Sequence, residues 1–218
     1  MLLMHPSVEI LAMSESPLEL IEAAGRTCYK SENKMTPDSA RSFTEKIVTL
    51  RHESVLEHAC ATVRFICDRG VSHEIVRHRI ASYSQESTRY CDYANGHVSF
   101  VIPPWVKVQE GVWDSIKERP EASLAEDLWL AATLCAEQAY LKLRKQGWSP
   151  QQARSVLPNS LKTEVVMTAN FRSWRNFFRQ RTAQSAHPQM REVAIPLLQR
   201  MQLFVPVVFD EICIEGLT

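Results

Sequence analysis

Apolar and polar residues follow a helical spacing in two stretches near the start of the chain. In "SPLELIEAAG", Ser16 precedes Pro17, and Glu19 stands three residues after Ser16. This order predicts a helix that opens with a capping box. The stretch "TPDSARSFTEKIVTL" begins in the same way from Thr36 and predicts a second helix. We expect both helices to pack on the surface of the fold.

The longest helical pattern runs over residues 120 to 146 and stops at Gly147. Apolar residues recur there at three- and four-residue steps, which predicts a long amphipathic helix with a glycine after its end. The next stretch, "SPQQARSVLP", predicts a shorter helix. The expected apolar face of the long helix consists of Leu124, Leu128, Ala131, Ala132, Cys135 and Ala139.

Strand patterns are fewer and lie far apart. In "ACATVRFIC", Ala61, Val63 and Phe65 alternate with polar neighbours, as in a strand with one buried face. Further candidates are "HVSFVIPP", "TEVVMTA" and "PVVFDEICI". Long connections between strands favour an α+β fold over a regular βαβ series. With 218 residues, of which 45% are hydrophobic, we expect a single domain over residues 1–218, with a mixed or antiparallel sheet flanked by helices.

The net charge is zero, so an anion site requires local clustering. Acidic residues are absent from Val165 to Arg191, where five arginines accumulate, namely Arg172, Arg175, Arg179, Arg181 and Arg191. The segment 77–90, "RHRIASYSQESTRY", is a second basic concentration with many hydrogen-bond donors and few aliphatic residues. We interpret it as a binding loop for a phosphate- or carbonyl-rich ligand. Because no GxGxxG or P-loop motif occurs, a nucleotide would be held by side chains.

The stretch "NFRSWRNFFRQRTAQ" predicts an amphipathic helix. Its apolar face consists of Trp174, Phe177 and Phe178, with Arg172, Arg175 and Arg179 on the opposite face. Arg181 falls in the middle of the apolar face and should point inward. A buried arginine requires a partner. That partner is either an anionic or carbonyl-bearing ligand or, alternatively, the acid of a structural ion pair.

Six cysteines without a CxxC pair indicate reduced thiols, and no signal peptide or membrane span is recognisable, so we expect a cytoplasmic protein that does not act at a membrane. A zinc site from His52, His58, Cys60 and Cys67 is disfavoured, because strand alternation places the two cysteines on opposite faces; we expect no metal. A nucleic-acid-binding module could use the same arginines, but the neutral balance argues against a nucleic-acid partner.

The element RHR, seven residues and then Ser87 resembles the signature of the flavin-dependent thymidylate synthases. Three other blocks occur in the order of that family: "HESVLEH" (52–58), "AR" with "LPNS" (153–160) and "NFRSWRNFFRQR" (170–181). The resemblance extends from about Ala23 to Arg191.

The resemblance implies conversion of dUMP to dTMP. Methylenetetrahydrofolate would donate the one-carbon unit, and FAD reduced by NADPH would supply the hydride. No cysteine nucleophile is then needed. It also implies a homotetramer with active sites shared between subunits, in keeping with more cationic and aromatic surface than one core of this size readily satisfies.

The resemblance also assigns site residues. Arg181 matches the catalytic arginine, and His52 and Glu57 border the flavin. One position departs from the family, since Ser185 stands where members often have a histidine and the nearest histidine is His187. The implied FAD residues are Ser54, Arg77, His78, Arg79, Gln85, Asn170, Phe171, Arg172 and Asn176. The implied dUMP residues are Glu74, Ile75, Val76, Arg77, Gln85, Glu86, Ser87, Thr88, Arg89, Arg154 and Arg181.

Overall fold

The computed structural model describes residues 1–115 and 123–214, which form an α+β fold with two sheets flanked by helices. The strands are β1 (Leu2–Met4), β2 (Ser7–Met13), β3 (Cys60–Asp68), β4 (Ser82–Gln85), β5 (Ser99–Val101), β6 (Gly111–Val112) and β7 (Lys162–Asn170). The helices are α1 (Pro17–Thr27), α2 (Ser39–Thr49), α3 (Arg69–Ile75), α4 (Leu124–Lys145), α5 (Pro150–Ala153), α6 (Phe171–Arg181) and α7 (Pro188–Phe204). Short 3-10 helices occupy Glu32–Lys34, Glu53–His58, Tyr93–Asn95 and Arg154–Val156.

The chain divides into two compact units. The first unit comprises Met1–Ser7, Ile66–Ile75 and the described residues of Ser84–Val165. The second unit comprises Val8–Phe65, Val76–Tyr83 and the described residues from Val166 onward. The sequence-based assignment of a single domain stays a prediction.

In the first unit, β1 is the central strand of a three-stranded mixed sheet. It pairs parallel to β5 and antiparallel to β6. The apolar core beside this sheet gathers residues such as Leu3, Phe100, Leu130 and Tyr140, all fully buried. Two of these residues come from α4, so the long helix closes one side of the core.

The face that α4 buries is not the predicted one. Leu124 and Leu128 are 75% and 61% exposed. Ala131, Ala132 and Cys135 are exposed as well, and Ala139 is half-buried. The buried residues are Glu126, Leu130, Thr133, Glu137 and Tyr140.

Hydrogen bonds explain why α4 can bury its polar residues. The Glu137 carboxylate accepts from the backbone amide of Val98 at 3.0 Å, and the Glu126 carboxylate accepts from that of Lys107 at 2.8 Å. Buried carboxylates with such partners escape most of the desolvation cost. The helix itself was predicted correctly: it starts with a capping box between Ser123 and Glu126, and Gly147 follows its end with φ +86°. Residues 120–122 of the predicted helix lie outside the described residues.

The four-stranded sheet has the order β2-β3-β7-β4. The predicted alternation of β3 is confirmed, since Ala61, Val63 and Phe65 are buried. Helix α6 covers this face: the Trp174 indole donates to the carbonyl of Ala61 at 3.1 Å, and the ring of Phe177 lies 6.0 Å from that of Phe65. The sheet therefore fixes the position of α6.

Several local predictions were wrong. "PVVFDEICI" forms turns, held in part by the Val207 amide donating to Asp210 at 2.8 Å, because these apolar residues pack on α6 rather than in a sheet. Segment 77–90 is not all loop, since it contains β4. The pattern also missed β1, β2 and β6, of which β1 and β6 are only three and two residues long.

Both predicted N-caps of the first two helices differ from expectation. Ser16 precedes α1 as predicted but adopts a left-handed backbone with φ 42°, and its side chain makes no capping bond. A capping side chain normally requires an extended backbone at that residue. Helix α2 begins at Ser39 rather than after Thr36, because the Ser39 hydroxyl accepts from the Thr36 amide at 2.9 Å and forms a turn first.

All six cysteines are free thiols. Cys67 is buried, and this burial, together with the neighbouring Asp68, raises the pKa of its thiol. No helix among the described residues combines the length and the apolar composition needed to cross a membrane.

Candidate active site

The second unit contains a pocket of about 660 Å³ between α6, the segment 77–80 and the 3-10 helix Glu53–His58. We call it the flavin-side pocket, because the resemblance assigns several of its residues to FAD. Its lining residues come from three places that are distant in sequence and meet beside the buried aromatic face of α6. They are Glu53, Glu57, Arg77, His78, Arg79, Ile80, Asn170, Arg172, Ser173, Asn176, Arg179, Gln180 and Arg181.

Six of the nine residues assigned to FAD line this pocket, namely Arg77, His78, Arg79, Asn170, Arg172 and Asn176. Three do not. The Phe171 side chain is fully buried against Phe209, with ring centres 5.4 Å apart, so it can offer only its backbone. Gln85 lies in the first unit, where its amide donates to Ser72 and Thr163 at 3.0 and 3.3 Å.

The 3-10 helix Glu53–His58 presents acids to the pocket. Ser54 and His52 are exposed but do not line it, whereas Glu53 and Glu57 do. Glu57 accepts a hydrogen bond from Arg172 at 2.5 Å. The predicted border role of Glu57 agrees with this position, and Glu53 is a pocket residue that the sequence reasoning missed.

Helix α6 positions its polar residues through its start and its period. The Asn170 side chain caps the helix by accepting from the Ser173 amide at 2.8 Å. From this start, Asn176 and Gln180 fall one turn apart on an exposed face, and the Gln180 amide donates to Asn176 at 3.0 Å. Trp174, Phe177 and Phe178 are fully buried, as predicted.

The flavin-side pocket carries an excess of positive charge. Its lining includes five arginines and two carboxylates. Glu57 and Glu53 are engaged by Arg172 and Arg179 at 2.5 and 3.0 Å. Arg77 and Arg79 are exposed and form no hydrogen bond or ion pair within the part of the chain that the structure describes. Such a pocket favours an anionic ligand.

Arg181, at the end of α6, lies in this pocket and is half-buried. Its Nε donates to Nε2 of His78 at 3.0 Å. Burial, followed by the positive charge of Arg181, lowers the pKa of His78 to about 4. The imidazole is therefore neutral at pH 7 and accepts a hydrogen bond from Arg181. Neither alternative drawn from the sequence included a histidine as the partner of Arg181.

Arg175, not Arg181, is the fully buried arginine of α6, which corrects its predicted place on the polar face. Its Nε and Nη2 donate to Glu53 at 3.1 Å, Nη2 also donates to Glu211, and Nη1 donates to the carbonyl of Val208. The structural ion pair thus exists one turn and a half before Arg181. The reason is that the C-terminal segment, expected to be a strand, folds over this face of α6.

The same cluster shifts the titration of Glu53. Burial alone would raise its pKa, but the hydrogen bond from Arg179 and the charges of Arg175 and Arg179 hold the pKa of Glu53 below its usual value. Glu53 therefore stays ionised between two guanidinium groups.

The first unit contains a second pocket, of about 230 Å³, which we call the phosphate-side pocket. Two residues assigned to dUMP meet there: Nη1 of Arg154 donates to the hydroxyl of Thr88 at 2.9 Å. Arg69 and His73 also line it, and the sequence reasoning named neither. The remaining lining residues are Ser155, Leu157, Pro158, Asn159 and Leu161.

The other residues assigned to dUMP do not line the phosphate-side pocket. Glu86 accepts from Tyr93 at 2.8 Å and from Lys162 at 3.1 Å, so Lys162 is a neighbour that sequence reasoning missed. Burial alone would lower the pKa of Lys162, but the hydrogen bonds that Lys162 donates to Glu164 and Glu86 raise this pKa above its usual value. In the turn after β4, the Ser87 hydroxyl accepts from the Arg89 amide at 3.3 Å.

Three further dUMP assignments precede the RHR motif. Ile75 is fully buried, whereas Val76 is 38% exposed and Glu74 is half-buried. The side chain of Ile75 can therefore contribute packing only.

The family model described as "Thymidylate synthase complementing protein" matches residues 9–207. The chain belongs to this family. Relatives named flavin-dependent thymidylate synthase include one from Mycobacteroides abscessus, 34% identical over 219 residues, covering 97% of this chain and 86% of the relative. Another, from Mycobacterium sp. strain KMS, is 37% identical over 218 residues and covers 94% of this chain and 84% of the relative.

A solved structure shares the fold. The UMP/dUMP methylase PolB from Streptomyces cacaoi, bound with 5-Br dUMP, superimposes with a TM-score of 0.76 at 25% identity, and the match covers 96% of both chains. The two chains therefore share one fold over nearly their whole length.

Two features of this thymidylate synthase family member bear on its chemistry. No cysteine lines either pocket as the described residues form them, and no three His, Cys, Asp or Glu side chains among those residues group as metal ligands. At the departure noted above, Ser185 is exposed, and His187 precedes α7 as its N-cap residue.

Proposed function

We propose that the protein converts dUMP to dTMP, with methylenetetrahydrofolate as one-carbon donor and FAD reduced by NADPH as hydride source. The observation that carries the proposal is the flavin-side pocket, where the RHR segment meets α6 and Arg181. Membership of the family, relatives named flavin-dependent thymidylate synthase, and a structural neighbour bound to a dUMP analogue all support the same reaction.

The flavin-side pocket suits FAD in charge and in donor chemistry. The pyrophosphate of FAD carries two negative charges, and Arg77 and Arg79 are cations without a partner among the described residues. Arg172, Asn170 and Asn176 would add hydrogen bonds to the flavin or its ribityl chain. When bound and reduced by NADPH, FAD would supply the hydride that completes the new methyl group. The residues of the protein would bind and orient the cofactor.

The phosphate-side pocket suits the phosphate of dUMP. Arg154, already oriented by its hydrogen bond to Thr88, would present its guanidinium to this phosphate. Ser87 and Arg89 lie in the turn that contains Thr88. Glu86, held by Lys162 and Tyr93, would accept hydrogen bonds from the nucleoside. These roles follow the resemblance residue by residue.

Arg181 would act on the uracil ring. A guanidinium at the N3 and carbonyl edge stabilises the negative charge that develops on the ring during attack on the one-carbon unit. Activation by a fixed charge requires no cysteine nucleophile, and no cysteine lines either pocket as the described residues form them. His78, a neutral acceptor, leaves that charge on the arginine.

We further propose a homotetramer in which different subunits contribute the flavin and nucleotide residues. The exposed apolar face of α4, with Leu124, Leu128, Ala131, Ala132 and Cys135, supports association because such a face is costly to leave in water. The six free thiols fit a reducing compartment, so we place the protein in the cytoplasm.

The reaction is tested with purified protein reconstituted with FAD. We expect a flavin spectrum that NADPH bleaches, and dTMP only when dUMP, methylenetetrahydrofolate, FAD and NADPH are all present. Formation of dTMP without FAD would contradict the proposal, as would bleaching without any dTMP. For the tetramer, a variant altered at Arg79 and Arg172, which are assigned to FAD alone, is refolded together with one altered at Arg154. Returning activity supports shared sites, whereas inactivity of verified hybrids, or a monomer in light scattering, overturns them.

A further inference from the structure

A chain of three side chains ends at the catalytic arginine. The hydroxyl of Tyr83, on β4, donates to the backbone carbonyl of His78 at 2.6 Å. The imidazole of His78 lies edge-on to Phe177, with ring centres 4.9 Å apart. Its Nε2 accepts from Nε of Arg181 at 3.0 Å. The backbone and the ring of His78 are therefore each held by a separate contact, and the ring holds Arg181.

The atom through which Arg181 is held matters for its function. A free arginine side chain samples many rotamers, so a catalytic guanidinium must be restrained to act as a fixed charge. A bond through Nε fixes the plane of the guanidinium.

The contact defines the tautomer of His78. Because Nε2 accepts a hydrogen bond from Arg181 and so carries no proton, the proton of the neutral ring must be on Nδ1. Burial and the charge of Arg181 favour the neutral ring. Burial also raises the pKa of Tyr83 to about 12, so its hydroxyl stays protonated and remains a donor. At neutral pH, His78 is therefore neutral and can accept the hydrogen bond from Arg181, and Tyr83 is protonated and can donate its own.

We propose that Tyr83 and His78 are positioning residues for Arg181, which orient its guanidinium toward the uracil ring. This inference rests on the proposed function of Arg181. It assigns His78 a role beyond the flavin contact implied by the resemblance, and it gives Tyr83, which does not line the flavin-side pocket, a role that no family motif suggested.

The first test uses Tyr83→Phe, which removes one hydroxyl and no pocket surface. We expect the Kd for dUMP, measured by equilibrium dialysis with labelled dUMP, to rise about tenfold, as for residues coupled in one hydrogen-bond network. The Kd for FAD should stay within about twofold. In an Arg181→Ala background the effect of Tyr83→Phe on dUMP should disappear. An equal effect in both backgrounds, or none in the wild-type background, overturns the proposal.

The second test reads the His78 ring directly in FAD-free protein. In ¹⁵N spectra of the imidazoles, the signal lost in His78→Gln identifies His78. We expect a neutral ring protonated on Nδ1, and a changed Nε2 shift in Arg181→Ala. A ring protonated on Nε2 overturns the proposal, since the bond could not form.

Two histidine variants separate the acceptor from the ring. His78→Gln keeps an acceptor oxygen and His78→Ala does not. The Kd for dUMP should therefore be lower in His78→Gln than in His78→Ala, even where both variants weaken the binding of FAD equally. Equal loss in both contradicts the role. If wild-type protein formed no dTMP, the proposed function would fail, while the tautomer and the coupling of Tyr83 to Arg181 would still decide the positioning.

Discussion

The guanidinium of Arg175 is fully buried and donates to the carboxylate of Glu53 at 3.1 Å, although 122 residues separate them. Arg179 and Glu211 join the same cluster. It ties α6, the 3-10 helix Glu53–His58 and the C-terminal segment together. Glu53 and Arg179 both line the flavin-side pocket, so the cluster forms one of its walls.

Replacing Arg175 should therefore cost far more than replacing an exposed arginine of the same helix. We expect Arg175→Met to lower the free energy of unfolding by about 2–3 kcal/mol, because it leaves the buried carbonyl of Val208 without its donor and leaves Glu53 with Arg179 alone. Arg172→Met, which removes a pair exposed on both sides, should cost at most about 1 kcal/mol. Urea unfolding of both variants measures the difference. Equal losses would show that the burial of Arg175 contributes no stability.

The depressed pKa of His78 predicts a pH dependence of stability. Its pKa is about 4 in the folded chain against 6.5 for an unperturbed histidine, so the unfolded chain binds more protons between these values. The contribution of His78 is complete above pH 6.5 and is lost as the pH falls toward 4. His78→Gln should flatten the unfolding free energy over that interval, with His58→Gln, at an exposed position, as the control. A curve parallel to wild type would contradict the neutral, buried ring.

Arg181→Ala should leave the fold and FAD binding intact but remove most dTMP formation. The Trp174, Phe177 and Phe178 face still anchors α6, while the polarising charge is gone. The loss of transition-state stabilisation should be about 2.7 to 4 kcal/mol, as for one oxyanion donor. Single-turnover kinetics with reduced FAD measure it, and Arg41→Ala, at an exposed position on α2, is the control. Activity near wild type would refute the catalytic role.

No single thiol should be needed for chemistry. A variant with all six cysteines replaced by alanine loses packing at buried Cys67 but keeps both pockets, whose described linings contain no cysteine. Its unfolding free energy should fall, whereas dTMP formation per folded protein should persist. One cysteine that proved indispensable in a stable protein would exclude the flavin-only route.

Periodicity predicted which helices exist better than which faces they bury. In α6, three large aromatic residues dominate one face, and this face is the buried one, as predicted. For α4, the apolar face is made of leucine, alanine and cysteine, while Glu126 and Glu137 are buried because backbone amides elsewhere in the chain satisfy them. Nothing in the local pattern encodes such partners. The same limit explains the error at Arg175.

The sequence could indicate those candidate site residues that lie within short sequence motifs. Six of the residues that the resemblance assigns to FAD, in the RHR motif and in and beside α6, line one pocket. Their role in binding FAD stays a prediction. The residues that were missed, such as Glu53 and Lys162, act through contacts that span 122 and 76 residues. An acid next to a recognised motif residue, as Glu53 is to Ser54, is the signal that could have revealed one of them.

The association that we propose through the outward-facing leucines of α4 has a consequence for handling the protein. A surface that is covered only when chains associate links folding to mass action, because every bound neighbour favours the folded state. The melting temperature should then rise with protein concentration, and dilution alone should destabilise a chain whose sequence is unchanged.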